Sequence, residues 1–268
     1  MREARSSGIE ALAITDHDTF AGYDLAAPAS LAEAFELFCG IELSTLWYKG
    51  EGRRTVHILG YFFDNSPSAA FQTWLKGLQD ARRERNVRLA ARLQSMGVDV
   101  GVSEVEALGR STAGRPHFAK LMVRKGYVAN TQEAFDRYIG EEGTAFVERH
   151  GPEVTDGIRR VLDAGGVPSL AHPVRLGVRD PQEEEAFIAR LASAGLGAIE
   201  AYHSDHGPQL VERYSSLARK YNLAISGGSD FHGDIKPNVR LGVIPVPREI
   251  LNQLRGRSNN HGRTGSSV

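Results

Sequence analysis

Short apolar runs rich in β-branched residues alternate along much of the chain with segments of mixed polarity. Seven runs predict strands: Ala11–Thr15, Phe35–Leu43, Thr55–Phe62, Val167–Ala171, Ala198–Ala201, Leu223–Ser226 and Leu241–Ile244. Between them, the spacing of apolar residues predicts helices at Ser30–Glu33, Gln182–Ala194 and Pro208–Tyr221. Strands that alternate with helices are typical of parallel βα units, so the pattern predicts an α/β fold.

The middle of the chain has a different pattern, which predicts helices only. These helices are Phe71–Met96, Val102–Ala107, Arg115–Lys125 and Thr131–Ile139, with glycines between them. We therefore expect a barrel-like scaffold formed by residues 1–65 and 148–257, interrupted by a helical insertion at 66–147. The polar, Gly/Ser-rich residues 258–268 predict a disordered tail.

The start of the chain departs from the βα order. Arg2–Ser7 is typical of the end of a helix, and Gly8 leads directly into the first predicted strand. A βα architecture normally places a strand before such a helix. We therefore expect that the chain lacks the first strand of its barrel.

Composition narrows the class of protein. The 268 residues include 32 basic and 33 acidic side chains, which excludes a polycation that binds nucleic acid nonspecifically. The single cysteine, Cys39, excludes an internal disulfide framework and a cysteine-rich zinc module. No apolar run approaches the roughly 20 residues of a membrane span, and the N-terminus lacks an apolar signal core. We expect a cytoplasmic protein.

Histidines and carboxylates recur at or near the ends of the predicted strands. They are Asp16, His17 and Asp18 after the first strand, Glu42 in the second, His57 in the third, His172 after the fourth, His203 and His206 after the fifth, and Asp230 and His232 after the sixth. Parallel barrels collect strand ends at one face, where active sites lie. Imidazole nitrogen and carboxylate oxygen suit zinc, manganese or iron, so the pattern predicts a metal site.

Each of these residues also has an ordinary structural interpretation. A single Asp16 or Asp18 is more often a turn or cap residue, and His172 before Pro173 could simply end a strand. Packing does not explain the whole set, because buried charge is costly without partners. The combination therefore favours the metal site.

Five ordered motifs resemble the PHP (polymerase and histidinol phosphatase) family. They are Ile14–Thr19 (ITDHDT), Gly40–Glu42 (GIE), Val56–Tyr61 (VHILGY), Ala171–Pro173 (AHP) and Gly228–His232 (GSDFH). Gly114–Ala119 (GRPHFA) within the predicted insertion is similar to the branch that acts on nucleoside 3′,5′-bisphosphates and trims RNA from its 5′ end. The resemblance implies a distorted (βα)7 TIM-like barrel with two or three divalent metal ions.

The resemblance also implies which residues bind metal. The expected ligands are Asp16, His17, Glu42, His57, His172, Asp230 and His232, with Glu42 bridging, and the expected ions are Mn2+, Zn2+ or Fe2+. The family opens with a His-x-His motif on its first strand, and this sequence contains none. That absence agrees with the expected loss of the first strand, and we expect it to weaken at least one metal position.

Recognition of phosphate requires fixed cations. Arg115 and Arg175 are the candidates, because a guanidinium group matches two phosphate oxygens at once. Arg175 follows His172 by three residues and is also expected to act in catalysis. His117 and His206 are candidate substrate contacts, and His203 is a candidate proton donor to the leaving oxygen. For His117, a packing role is an equally good interpretation.

A run of basic residues lies within the first helix of the predicted insertion. It comprises Lys76, Arg82, Arg83, Arg85, Arg88 and Arg92, with Asp80 and Glu84 among them. Such a face could steer an RNA strand toward a phosphoesterase. The ordinary interpretation, a solvated side of a helix, is the one that we favour from the sequence.

Together these features predict a metal-dependent phosphoesterase. The expected substrate is the 3′-phosphate of nucleoside 3′,5′-bisphosphates, the 5′ end of a short RNA, or both, attacked by a metal-activated hydroxide. One alternative is a phosphomonoesterase that acts on histidinol phosphate. Another is a catalytically impaired remnant that serves as a binding or structural domain. Neither a membrane nor specific binding of DNA is expected.

Overall fold

The computed structural model describes residues 1–50, 52–63, 67–109, 113–233 and 236–261, with only the backbone for 259–261. The chain divides into two compact units. The first unit combines Met1–Gln72 with Pro152–Val268, and the second is Thr73–Gly151. In the ranges given, no helix is long and apolar enough to cross a membrane.

The first unit is a mixed α/β structure built on one six-stranded sheet, as expected for its class. Its strands are β1 (Ala11–Ile14), β2 (Glu36–Lys49), β3 (Gly52–Phe62), β4 (Val167–Leu170), β5 (Ala198–His203) and β6 (Ala224–Gly228). Its helices are α1 (Arg2–Ser6), α2 (Ala21–Ala32), α7 (Val154–Asp163), α8 (Pro181–Ser193), α9 (Pro208–Lys220) and α10 (Arg248–His261), with a short 3-10 helix at Pro173–Leu176.

The strands lie side by side in chain order, but they are not all parallel. Strand β1 is parallel to β2, and β4, β5 and β6 are parallel to one another. Strand β3 is antiparallel to both of its neighbours. Lys49 pairs with Gly52, so β2 and β3 form a tight hairpin, and only antiparallel strands can be joined this way. The expectation of parallel βα units throughout is therefore wrong at β3.

Several other elements differ from the predictions. Helix α2 begins at Ala21, well before the predicted Ser30. The prediction began too late because Pro28, which lies inside the helix, interrupts the helical pattern of the sequence. Helices α7 and α10 were not predicted. The segment Leu241–Ile244, predicted as a strand, forms turns. Helix α10 continues to His261, past the predicted start of the disordered tail at Ser258, and residues 262–268 lie outside the described ranges.

The second unit consists of helices. It contains most of α3 (Ala69–Ser95), followed by α4 (Val102–Gly109), α5 (Arg115–Arg124) and α6 (Thr131–Ala134). The predicted helix Thr131–Ile139 changes at Phe135 into one turn of π-helix. Leu89, Leu93, Phe118 and Met122 are among the residues of its own apolar core.

The core of the first unit explains how its long hairpin is held. Ile41, Leu43 and Ile58 are fully buried in β2 and β3. Gly157 lets α7 approach β2 closely, because a Cβ there would lie 2.6 Å from Thr45 Cγ2. The hairpin that carries Glu42 and His57 is therefore covered by a helix at close range.

Candidate functional site

The segment after β1 is bound to the middle of β2. Glu42 N–H donates to the Asp16 carbonyl, and Asp18 N–H donates to the Glu42 carbonyl, so His17 lies beside Glu42. Asp18 is fully buried with a φ of 56°, and its Oδ1 accepts a hydrogen bond of 2.8 Å from Ser44 N–H. This conformation is uncommon for a residue other than glycine, and the hydrogen bonds maintain it.

Glu42 lies at the centre of a group of histidines. Its Oε1 is 2.6 Å from His57 Nδ1 and 3.1 Å from His172 Nε2, and its Oε2 is 3.6 Å from His17 Nδ1. In the sheet, Glu42 is opposite Leu59, so His57 is its diagonal neighbour on the same face. Glu42 and His57 therefore meet within a hairpin, and not at the ends of parallel strands as predicted.

The donor atoms of this group fit a divalent cation. One ligand atom each from His17, Glu42 and His57 can be chosen so that all lie within 4.8 Å of one another. His172 Nε2 adds a fourth, 3.2 Å from His57 Nδ1. Imidazole nitrogen with carboxylate oxygen is a donor set that zinc, manganese and iron accept.

The charge state of Glu42 suits this role. Burial raises the pKa of the carboxyl group, but the nearby charges of His17 and His57, with hydrogen bonds from His172 and His57, hold it well below its usual value. Glu42 is therefore a buried carboxylate, and the imidazoles around it favour its ionised form.

Asp230 and His232 extend the group from the end of β6. The ring of His232 lies 5.9 Å from that of His17, and its Nδ1 is 2.8 Å from the Asp230 carbonyl oxygen. Burial raises the pKa of Asp230, but nearby His203, the charge of His232 and the hydrogen bond from Lys236 hold it far below its usual value. Asp230 is thus an ionised carboxylate beside several cationic groups.

Asp16 is held by a close approach to α2. Its Oδ2 accepts a hydrogen bond of 2.9 Å from Gly22 N–H. A Cβ at position 22 would lie 2.2 Å from that oxygen, so only glycine fits. Burial raises the pKa of Asp16, against the hydrogen bond from Gly22 and the charge of His232. The seven residues predicted as ligands therefore all lie in this region of the first unit.

The predictions missed one buried acid at the site, Glu200 of β5. Its Oε2 accepts a hydrogen bond of 2.6 Å from His172 N–H, and burial raises its pKa to about 8. His172 has a φ of 27°, and this hydrogen bond helps to hold that unusual backbone. A carboxylate inside an otherwise apolar strand was a sequence signal that could have identified Glu200.

His203 and His206 are buried beside this group. His203 Nδ1 accepts a hydrogen bond of 2.9 Å from Asp205 N–H, and its Nε2 is 3.6 Å from Asp230 Oδ2. His206 Nδ1 donates to the Ala201 carbonyl at 2.8 Å. His203 is therefore placed to orient Asp230, whereas its role as a proton donor stays a prediction.

Arg175 connects two carboxylates at the edge of the site. Its Nη1 donates to Asp230 Oδ2 at 2.6 Å, and its Nε donates to Asp205 Oδ2 at 2.8 Å. About a third of the side chain is exposed. The guanidinium group is therefore fixed beside the histidines by two carboxylates and reaches solvent, and its predicted contact with phosphate stays a prediction.

Arg115 and His117 belong to the second unit. Arg115 begins α5, where its guanidinium lies over the rings of Phe135 and Phe146, 5.9 and 5.8 Å from their centroids. His117 is buried, and its Nδ1 accepts a hydrogen bond of 3.2 Å from Gly114 N–H. These contacts give both residues a part in forming the start of α5. Their predicted contacts with substrate stay predictions.

A buried carboxylate surrounded by imidazoles on a mixed α/β sheet is the arrangement of a metal-dependent hydrolase. The chain is 31% identical to a 5′-3′ exoribonuclease of Haemophilus influenzae over 234 residues, which cover 87% of this chain and 82% of that protein. It is 28% identical to a 3′,5′-nucleoside bisphosphate phosphatase of Chromobacterium violaceum over 254 residues, 92% of this chain and 86% of that one.

Solved structures lead to the same class. The crystal structure of a protein assigned as a metal-dependent phosphoesterase from Bifidobacterium adolescentis matches with a TM-score of 0.81 and 28% identity, covering 96% of this chain and 88% of that one. No model of a known protein family matches the sequence. The chain belongs to the PHP family of metal-dependent phosphoesterases.

Proposed function

We propose that this chain hydrolyses phosphate esters of nucleotides: the 3′-phosphate of nucleoside 3′,5′-bisphosphates, the 5′-terminal linkage of short RNA, or both. The group of histidines around the buried Glu42 carboxylate is the observation that carries the proposal. The activities named for the relatives from Haemophilus and Chromobacterium support this choice of substrates. In this proposal the six-stranded sheet is the framework of a distorted (βα)7 barrel.

The proposed ligands of two or three divalent ions are the seven residues gathered at the site. They are Asp16, His17, Glu42, His57, His172, Asp230 and His232. Manganese, zinc and iron each suit this mixed nitrogen and oxygen set. When bound, such an ion acts as a Lewis acid on a phosphoryl oxygen and lowers the pKa of water to about 7.

The remaining side chains would bind and orient the ester. Arg175 pairs with Asp205 and Asp230 and reaches solvent; by exchanging its bonds to Asp205 for phosphate oxygens it would stabilise the negative charge that grows on them. His203 would orient Asp230 and supply a proton to the leaving oxygen. His206 is a further proposed substrate contact of the first unit, and the substrate contacts predicted for Arg115 and His117 in the second unit stay predictions.

The decisive experiment is an assay of the manganese-loaded protein. Adenosine 3′,5′-bisphosphate and a 5′-phosphorylated oligoribonucleotide are the substrates, with histidinol phosphate as the comparison. We expect Arg175→Gln to lower hydrolysis by about tenfold or more. Arg190→Gln is the matched control, because Arg190 pairs with Glu153 on the surface. Turnover of histidinol phosphate alone, or of none of the three, would refute the proposal.

A further inference from the structure

His172 lies in a turn whose backbone its own sequence does not favour. Its φ of 27° and ψ of 63° are at the edge of the left-handed region, which suits glycine better than a residue with a Cβ. Pro173 follows it, and a proline drives the residue before it toward an extended conformation. Because both effects oppose this conformation, contacts with the surrounding structure must hold it.

The polar groups of the backbone around His172 are all bound. Ala171 N–H donates to the His57 carbonyl at 3.1 Å, and Arg175 N–H donates to the His172 carbonyl at 2.9 Å. Between these two bonds, Pro173 has no N–H. The N–H of His172 itself donates to Oε2 of Glu200 at 2.6 Å. A side chain from β5 therefore holds the strained residue at the end of β4.

Glu200 is fixed in a way that suits this task. It lies opposite Ser226 of β6, and the pairing of β5 with β6 shifts by one residue between Glu200 and Tyr202. Such a bulge redirects the side chains beside it. Glu200 is only 5% exposed, so water does not readily replace its hydrogen bond to His172.

The far end of the same turn is anchored separately. Arg54 Nη1 donates to the Leu176 carbonyl at 2.8 Å, where the 3-10 helix ends. Loss of Glu200 should therefore release His172 without releasing the whole turn.

The backbone of His172 determines where its imidazole lies. Nε2 of the ring is 3.1 Å from Glu42 Oε1 and 3.2 Å from His57 Nδ1. A change of φ toward the extended region would rotate the Cβ and carry the ring away from both. We propose that Glu200 is a positioning residue, which fixes the turn at His172 and so holds this imidazole where a metal ion can bind it. The inference rests on the proposed function in taking a metal ion as the ligand of this group.

Two variants separate the hydrogen bond from the rest of the side chain. Glu200→Leu keeps a buried side chain of similar size but has no acceptor, whereas Glu200→Gln keeps a carbonyl oxygen that can accept from His172 N–H. Glu184→Leu is the matched control. Glu184 is also buried, at 7% exposed, but it binds Arg213 and Tyr214 on α9. Its loss should lower stability and leave His172 in place.

The first measurement is amide exchange on the full-length protein after a chelator has removed metal. A hydrogen-bonded, buried amide exchanges slowly with solvent. We expect His172 N–H to exchange slowly in the parent protein, in Glu200→Gln and in Glu184→Leu. In Glu200→Leu it should exchange at least about tenfold faster.

The second measurement is a titration of the same proteins with Co2+, followed by visible absorption, which reports on the ligands of the ion. We expect the affinity of Glu200→Leu to fall by about tenfold or more, the usual effect of removing a residue that orients a metal ligand. The absorption spectrum should change with it. Glu200→Gln should restore affinity to within about threefold of the parent protein, and Glu184→Leu should match the parent.

Four results would overturn the inference: no binding of Co2+ by the parent protein, unchanged affinity in Glu200→Leu, no rescue by Glu200→Gln, or an equal loss of affinity in Glu184→Leu. Should Glu200→Leu fail to fold, Glu200→Asp replaces it. Aspartate keeps the carboxyl group but is one carbon shorter, so it should lose the bond to His172 and show the same defects. Failure of the nucleotide assay alongside the expected Co2+ results would count against the proposed substrates alone.

Discussion

Two groups of buried charge, one in each unit, are built on opposite principles. In the first unit the carboxylate of Glu42 lies among the imidazoles of His17, His57 and His172, which contact it through their ring nitrogens. In the second unit Arg85 is buried, its Nε has no hydrogen-bond partner among the described residues, and the charges of Arg82, Arg115 and Arg149 help to lower its pKa. The first group joins a carboxylate to imidazoles that contact it, whereas the charges found to act on Arg85 among the described residues all oppose its own charge.

This difference indicates how each region should respond to change. Removing the carboxylate of Glu42 takes away the acceptor that three imidazoles contact, so that function and local order should both suffer. Removal of the charge on Arg85 should relieve repulsion and leave the second unit folded. Four further substitutions test this contrast, and the first removes the charge on Glu42.

Glu42→Gln should have the largest effect on function. The amide keeps the shape of the side chain but removes the charge that the imidazoles surround. We expect metal content after dialysis to fall sharply and phosphate release to fall by more than about a hundredfold, beyond the usual effect of a supporting residue. Glu36→Gln on the same strand is the control, since Glu36 pairs with Arg248 and Arg255 at the surface. Equal metal content in both variants would contradict the assigned role of Glu42.

Leu93→Ala tests whether the two regions are stabilised separately. Leu93 is fully buried in the core of the second unit, so its truncation should lower the free energy of unfolding by about 2–5 kcal/mol. Leu31→Ala, at a side chain that is 83% exposed, should change it by less than about 0.5 kcal/mol. Denaturant titration gives both values. Loss of metal from folded Leu93→Ala would show that the regions are coupled.

Gly22→Ala should disturb Asp16 through a steric contact. The new Cβ would lie 2.2 Å from Asp16 Oδ2 and 3.0 Å from Ile14 Cγ2, at an expected cost of about 1–3 kcal/mol together with weaker metal binding. Gly77→Ala in α3 meets no atom within 4 Å and should stabilise by up to about 1 kcal/mol. Thermal unfolding and metal titration of the two variants provide the check. A stabilising Gly22→Ala would mean that Asp16 moves freely.

Lys236→Gln should have the smallest effect of the four variants, and it should strengthen metal binding rather than weaken it. Lys236 pairs with Asp230, so it competes with any metal ion for that carboxylate. Its removal should raise metal affinity by up to about fivefold, the range of a partly exposed ion pair. Lys220→Gln, which breaks the surface pair with Glu185, is the control. Weaker metal binding in Lys236→Gln, measured by competition with a chromogenic chelator, would exclude competition at Asp230.

The sequence predicted the positions of most strands and the grouping of the histidines. It did not predict the antiparallel β3 or the true length of β2, which runs to Lys49 rather than Leu43. Buried Thr45 lies in this extension, where its Oγ1 donates to the Val56 carbonyl at 2.7 Å. A polar residue satisfied in this way interrupts the apolar pattern without ending the strand.

Other differences arise because burial depends on tertiary contacts. Arg85 has the same local sequence character as Arg83, and only the packing of the second unit separates a buried side chain from an exposed one. Helix α7, in contrast, could have been predicted, since Val154, Ile158 and Val161 follow helical spacing and face the interior. What the sequence did not predict was the pairing of strands that are distant in the chain and the burial of individual charged side chains.

Three residues of the first site, Asp18, His172 and Asp230, have left-handed backbone conformations that favour glycine. Selection for heat resistance alone would favour glycine at each, because it adopts these angles without steric cost. Such replacements would remove the imidazole or the carboxylates that these positions contribute. A variant selected only for thermal stability could therefore lose catalytic activity through stabilising substitutions. Screens for thermal stability should be coupled to an activity assay.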